Sequence, residues 1–176
     1  MNKTLFNELS IFFLLTVSKL SSTFINISPF LAVIVIGAYF VRCRYRFLIM
    51  IFIVQFFSDL TYGVHISNLF VYLSYFFVVL FLFRVKKIFS LGQSLLQGLY
   101  INMIFYVVTS LGHYLSFSDD YSINDLAYTY SQGLVFSINL ILSTSIFIGI
   151  FHALLVVSRK RLAKRAAQGR INQNLS

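Results

Sequence analysis

The chain has no tryptophan, one cysteine, one proline and only five carboxylates, set against fourteen Lys and Arg residues. A single cysteine, Cys43, excludes an intrachain disulfide, and no Cys/His spacing suited to a metal site occurs. The histidines His65, His113 and His152 are far apart in sequence and form no metal motif. Charge is scarce at 11% of 176 residues, where average globular chains carry roughly 25%, so water is not the main solvent. There is no glycine-rich phosphate loop and no nucleotide motif, so active transport would need an outside energy source. A Ser/His/Asp set can be picked from the polar connections, but its spacing constrains nothing. Neither an enzyme nor a bound cofactor is expected.

What the chain does have is apolar length. Hydrophobic residues make up 59% of it and aromatics 18%, all Phe and Tyr. Phe suits lipid-facing surfaces and Tyr the membrane interface. The net charge of +9 could suggest nucleic acid, but the cations sit in clusters that flank apolar runs. That placement reads as membrane orientation and contact with anionic head groups.

In chain order, a first apolar segment runs roughly Leu5 to Leu20. It is read as a retained helix, the alternative being a cleaved signal peptide. A polar stretch Ser21–Ser28 follows. Pro29 then opens a second helix, where its missing N–H costs nothing, with Ser28 or Asn26 as cap. Its apolar run, Phe30 to Val41, is short against the ~20 residues of a full span. A basic turn holds Arg42, Arg44 and Arg46. The third run, Phe47 to Phe57, ends at Ser58-Asp59, and Gly63 permits a sharp turn. The fourth span is Leu69 to Phe83 and the fifth Leu91 to about Tyr114. A polar loop with Asp119, Asp120 and Asp125 leads to the sixth, Leu134 to Val157.

The expected fold class is therefore all-α, a polytopic membrane bundle of six transmembrane helices, or five if the first segment does not span. The bundle occupies residues 1–158, and residues 159–176 form a basic cytoplasmic tail. Arg159, Lys160, Arg161, Lys164 and Arg165 in that tail are expected to contact anionic lipid. With six spans, 13 of the 14 Lys and Arg residues share one side, all but Lys19. The positive-inside rule puts that side, and both termini, in the cytoplasm. Three polar connections then meet on the outer side, where a pocket could open.

The elements Asn26-x-Ser28-Pro29, a Gly37-containing apolar helix, the Arg turn and Ser58-Asp59-Leu60-x-x-Gly63 carry a resemblance. They resemble an uncharacterised family of small bacterial multi-pass membrane proteins labelled as transport proteins. That family is similar in layout to the substrate-capturing S components of energy-coupling-factor vitamin transporters. The resemblance covers about Ser21 to Ala153. It departs at Ser110-Leu111-Gly112-His113, where the family has an Asn-Phe-Gly-like segment ending in Trp. The resemblance implies a six-helix bundle in a bacterial cytoplasmic membrane with an outward-facing site. S components dock a membrane partner through small residues on the first helix, and the first segment here has neither Ala nor Gly.

The candidate ligand-binding residues are Asn26, Ser58, Asp59 and His113. Asp59 directly follows a long apolar run, where a carboxylate is expensive and opposes the helix C-terminal dipole. It reads as a ligand or ion contact, or as a solvated carboxylate at a helix end. Asn26 and Ser58 read as entrance residues or as cap and turn. His113 reads as an outer-mouth group able to titrate near neutral pH, or as incidental. Ser145, Gly149 and Ala153 fall at i, i+4, i+8, a stripe that suits close helix packing, inside the bundle or against a partner protein. Asn139, within the sixth span, is expected to hydrogen-bond another helix. Two functions follow: a membrane protein binding a small solute on its outer side, or a non-transporting structural or assembly subunit.

Overall fold

The computed structural model describes residues 3–21, 28–85, 90–118 and 121–173. It is all-helical, with α1 Lys3–Ser21, α2 Phe30–Phe40, α3 Arg44–Tyr62, α4 Ile66–Arg84, α5 Leu91–Phe117 and α6 Ile123–Gln173. Three elements are long and apolar enough to cross a membrane: α4, α5 and the Ile123–Ser158 part of α6. Their outer faces carry exposed Leu69, Phe76, Leu99, Val107, Phe136, Ile146 and Leu154, an exterior suited to lipid rather than water.

The helix α2 is different. Nine of its eleven residues, Phe30 to Ala38, are buried, and it touches each of the other five helices. A helix that is apolar all round has no face to give to solvent and becomes a core. Pro29 sits at its N-terminal boundary, and the Val33 N–H donates to the Pro29 carbonyl at 3.0 Å. The far end closes with the Val41 N–H on the Gly37 carbonyl at 2.9 Å. Eleven residues at helical pitch rise only about 16 Å, roughly half of the ~30 Å hydrocarbon layer.

The remaining boundaries follow local chemistry. Only Val41, Arg42 and Cys43 link α2 to α3, so Arg44 and Arg46 stand in the first turn of α3. Arg46 pairs with Glu8 of α1 at 3.5 Å. Gly63 ends α3 at φ 100°, a conformation that glycine adopts without strain, with its N–H on the Asp59 carbonyl at 2.8 Å. Ser90 caps α5 by accepting the Gln93 N–H at 3.3 Å.

The sixth helix begins earlier than its apolar run. Residues 123–133, expected as loop, are the first three turns of α6. Ser122 accepts the Asp125 N–H at 3.1 Å, and Asp125 places a negative charge at the positive end of the helix dipole. Two tyrosines hold these early turns to α5: Tyr106 donates to the Tyr130 carbonyl at 2.7 Å and Tyr130 to the Val107 carbonyl at 3.0 Å.

Packing corrects the small-residue expectation. A Cβ at Gly149 would meet nothing within 4 Å, and Ala153 is exposed, so the Ser145/Gly149/Ala153 stripe is not an internal contact. The inward ridge of α6 is Ser137, Leu140, Thr144 and Ile148, one residue out of phase, or about 100° around the helix. Asn139 is likewise exposed. Close approach happens elsewhere: a Cβ on Gly37 would press on Phe47 of α3 and Ile11 of α1, and one on Gly112 would overlap the Cβ and ring of Phe70. Gly112→Ala is expected to cost about 1–3 kcal/mol by overpacking, whereas Gly149→Ala is neutral or stabilising by up to about 1 kcal/mol through helix propensity. Unfolding midpoints of the two variants in detergent check the contrast.

Candidate functional site

Arg46 pairs with Glu8, Tyr39 bonds Ser94 and Gln97, and Ala38 adjoins Leu82, so the starts of α1, α3 and α5 and the ends of α2 and α4 gather at one end of the bundle, with Arg42, Arg44, Arg84 and Ser90. At that end the interior is closed. Tyr39 of α2 donates to Gln97 Oε1 of α5 at 2.8 Å and accepts from Ser94 at 3.4 Å. The gap beside Tyr39, Ala38, Leu82 and Gln97 has no room for a water molecule.

The opposite half is open inside. A cavity of about 330 Å³ lies between α5 and α6, walled by Phe105, Tyr106, Ser110 and Ser137 and rimmed by the exposed His113 and Tyr128. Its size falls at the lower end of ligand pockets, which run about 300–1,000 Å³. Phe105, Phe136 and Leu140 are also walls of a second cavity, of about 170 Å³, at the N-terminal end of α2. Lys19, Ser28, Phe30, Leu31 and Tyr75 complete that second space. Ser143 of α6 donates to the Ser28 carbonyl at 2.9 Å, pinning the start of α2 beside it. Gly133 lets α5 come close here, since a Cβ at that position would press on Ser110 and the Tyr106 ring.

Asp59 is not a solvated helix end. It is only 7% exposed. Gln55 Nε2 donates to its Oδ1 at 2.7 Å and the Tyr72 hydroxyl to its Oδ2 at 2.8 Å. Tyr75 extends the knot by donating to Gln55 Oε1 at 3.3 Å. Gln55 is one turn before Asp59, and Tyr72 and Tyr75 are on the facing side of α4, so the knot ties α3 to α4. Lys19 of α1 lies within Coulombic range of Asp59 and stands 5.4 Å from the centre of the Phe30 ring.

The four sequence candidates do not converge on one point. Asp59 lies in the knot. Ser58 lines a separate groove between α1 and α3, together with Phe12, Thr16 and Lys19. His113 is on the rim of the α5–α6 cavity, its ring 4.8 Å from that of Phe117. Asn26 lies outside the described residues, as do the side chains of Arg159, Lys160, Arg161, Lys164 and Arg165. The residue that sequence reasoning passed over is Lys19. Its signal was present as the one cation away from the basic end. Among the described residues no cluster of three or more His, Cys, Asp or Glu could hold a metal ion.

Fold and interior together define an all-helical, membrane-type bundle with a chamber in one half. The chain matches DUF6580, a family of unknown function, over residues 1–166, and belongs to that family. No curated protein and no solved structure matches it. Membership assigns no activity, so the chemistry rests on the residues themselves.

Removing the Asp59 carboxylate strands a buried donor, Gln55 Nε2, and the part-buried Tyr72 hydroxyl. Asp59→Ala and Tyr72→Phe are each expected to cost about 1–3 kcal/mol, and the double variant less than the sum because both remove the same bond. Equilibrium unfolding in detergent measures the non-additivity.

Proposed function

We propose that this protein is an S-component-like membrane protein that binds a small solute from the side opposite its arginines. The observation that supports the reading best is the asymmetry of the interior. Tyr39 and Gln97 close the arginine end, while the cavities adjoining Phe105 and Phe136 occupy the other half. A binding protein that takes its ligand from one side needs that arrangement: a mouth, a chamber and a closed floor. His113 and Tyr128 form the mouth, Ser110 and Ser137 offer hydroxyls within, and Lys19 supplies a positive charge at the deep end. The solute reaches the cytoplasm only if the floor opens, and the chain has no nucleotide motif of its own. Onward transport therefore requires a membrane partner that supplies the energy.

The orientation belongs to the same proposal. Sorting of cations puts Arg42, Arg44, Arg46 and Arg84 on the cytoplasmic side of a bacterial inner membrane, with both termini there and the basic tail on anionic lipid. A second reading, a non-transporting assembly subunit, is favoured by the open Gly149 face, which no helix of the bundle covers.

Two measurements test this. Native mass spectrometry of the protein taken from its own membrane is expected to retain a small-molecule adduct. Ser137→Leu, which fills the chamber, is expected to abolish that adduct, and Ser145→Leu on the outer face to keep it. An unliganded wild-type protein, or an adduct indifferent to Ser137→Leu, overturns solute binding. Cys43 is the only thiol and lies at the arginine end. A membrane-impermeant thiol reagent is expected to label it in inside-out vesicles and to leave it unlabelled in intact cells, with the reverse result inverting the orientation.

A further inference from the structure

Lys19 lines two spaces, not one. It is part of the cavity at the start of α2, and also of a groove of about 370 Å³ between α1 and α3. The α2 cavity in turn shares Phe105, Phe136 and Leu140 with the α5–α6 cavity. Three spaces thus lie side by side across the outer half of the bundle. Both outermost ones reach exposed apolar side chains, Leu20 and Phe57 on one flank and Phe136 on the other. These are surfaces of the kind that face lipid. A solute delivered only from water has no need of openings on flanks of that character.

The chemistry of the walls points the same way. The groove is built from Phe12, Leu20, Val54 and Phe57, with Thr16 and Ser58 as small hydroxyls. The one cation among the described lining residues is Lys19, at the junction of groove and inner cavity. A lysine near a helix end ordinarily runs its stem outward to the head groups. Here the ammonium stands over the buried ring of Phe30. Asp59 lies within Coulombic range, its two oxygens accepting from Gln55 and Tyr72 on the α3–α4 seam. In such surroundings a charge attracts its opposite far more strongly than in water.

From this we infer that the outer half of the bundle holds a single-chain amphiphile with one anionic head group. The head sits at Lys19, and the apolar body lies in the flanking cavities. The inference rests on the chamber reading above and names the class of ligand for it. Carboxylate and phosphate heads share the required charge.

The test uses the purified full chain in a neutral detergent with three probes of equal chain length: palmitate, hexadecyl phosphate and hexadecanol. At least one anionic probe is expected to bind about tenfold tighter than the alcohol, the scale of one charge-assisted hydrogen bond. Which anion binds better assigns the head as carboxylate or phosphate. Lys19→Gln is expected to bring acid and alcohol to equal affinity, and Lys19→Arg to keep the preference. Equal binding of all three probes to the wild type overturns the inference, and so does a preference that survives Lys19→Gln. The wild-type comparison needs no variant, so misfolding of Lys19→Gln leaves it decisive. If no amphiphile binds while the native adduct is still lost on Ser137→Leu, the ligand class is overturned and solute binding stands. If neither is seen, both fall.

Discussion

The bundle depends on enclosing a helix that is too short for the layer around it. At eleven residues, α2 fills about half the depth of a bilayer, and all its faces are apolar. It cannot be left at the edge of the bundle, because its ends would put unpaired backbone groups into lipid. Surrounded by the other five helices, its C-terminal end is tied to α5 through Tyr39, which bonds Gln97 and Ser94, and its N-terminal end begins at Phe30, just after Ser28 and Pro29. At that end the smaller cavity adjoins the start of α2 and shares Phe105, Phe136 and Leu140 with the larger one between α5 and α6.

Lipid tails are as apolar as the side chains, so burial from water does not drive these helices together. Close packing and polar bonds between helices must do it. Gly37, Gly112 and Gly133 each lie where a methyl group would collide with a neighbour. Besides the Tyr39 and Ser143 bonds that hold α2 and its start to α5 and α6, the polar bonds described above fall into three sets. Arg46–Glu8 joins α3 to α1, Asp59 with Gln55 and Tyr72 joins α3 to α4, and Tyr106 with Tyr130 joins α5 to α6. The Asp59 set has a buried carboxylate at its centre, which raises the cost of leaving any member unpaired.

Local signals were legible wherever backbone chemistry dictates the outcome. Pro29 marks the start of α2 and Gly63 ends α3 because their conformational limits hold in any surroundings. The start of α6 was written just as plainly in Ser122-x-x-Asp125, but the polar composition of that stretch outweighed the capping pattern. Facing was harder to read. Ser145, Gly149 and Ala153 form a tidy stripe, yet the helix turns Ser137, Thr144 and Ile148 inward. Small residues permit close contact without demanding it, and which face meets a neighbour depends on the other five helices. Asp59 was identifiable as a costly group. Its partner Tyr72, and Tyr75 behind Gln55, were not, since a tyrosine in an apolar run looks the same whether it faces lipid or a polar knot.

Lys19 draws these strands together. Among the described residues Arg42, Arg44, Arg46 and Arg84 gather at one end of the bundle, and Lys19 stands instead beside the cavity at the start of α2. A lysine two residues before the end of α1 could reach outward to the head groups. Its position against Phe30 and near Asp59 gives that up, and Asp59 offsets part of the cost by supplying an opposing charge across the bundle. The hydrogen bonds from Gln55 and Tyr72 fix that carboxylate on the α3–α4 seam. Lys19 is thereby the one cation among the described residues that line these cavities, and on the reading proposed above it is the half-length α2 and this lysine together that set what the cavities accept.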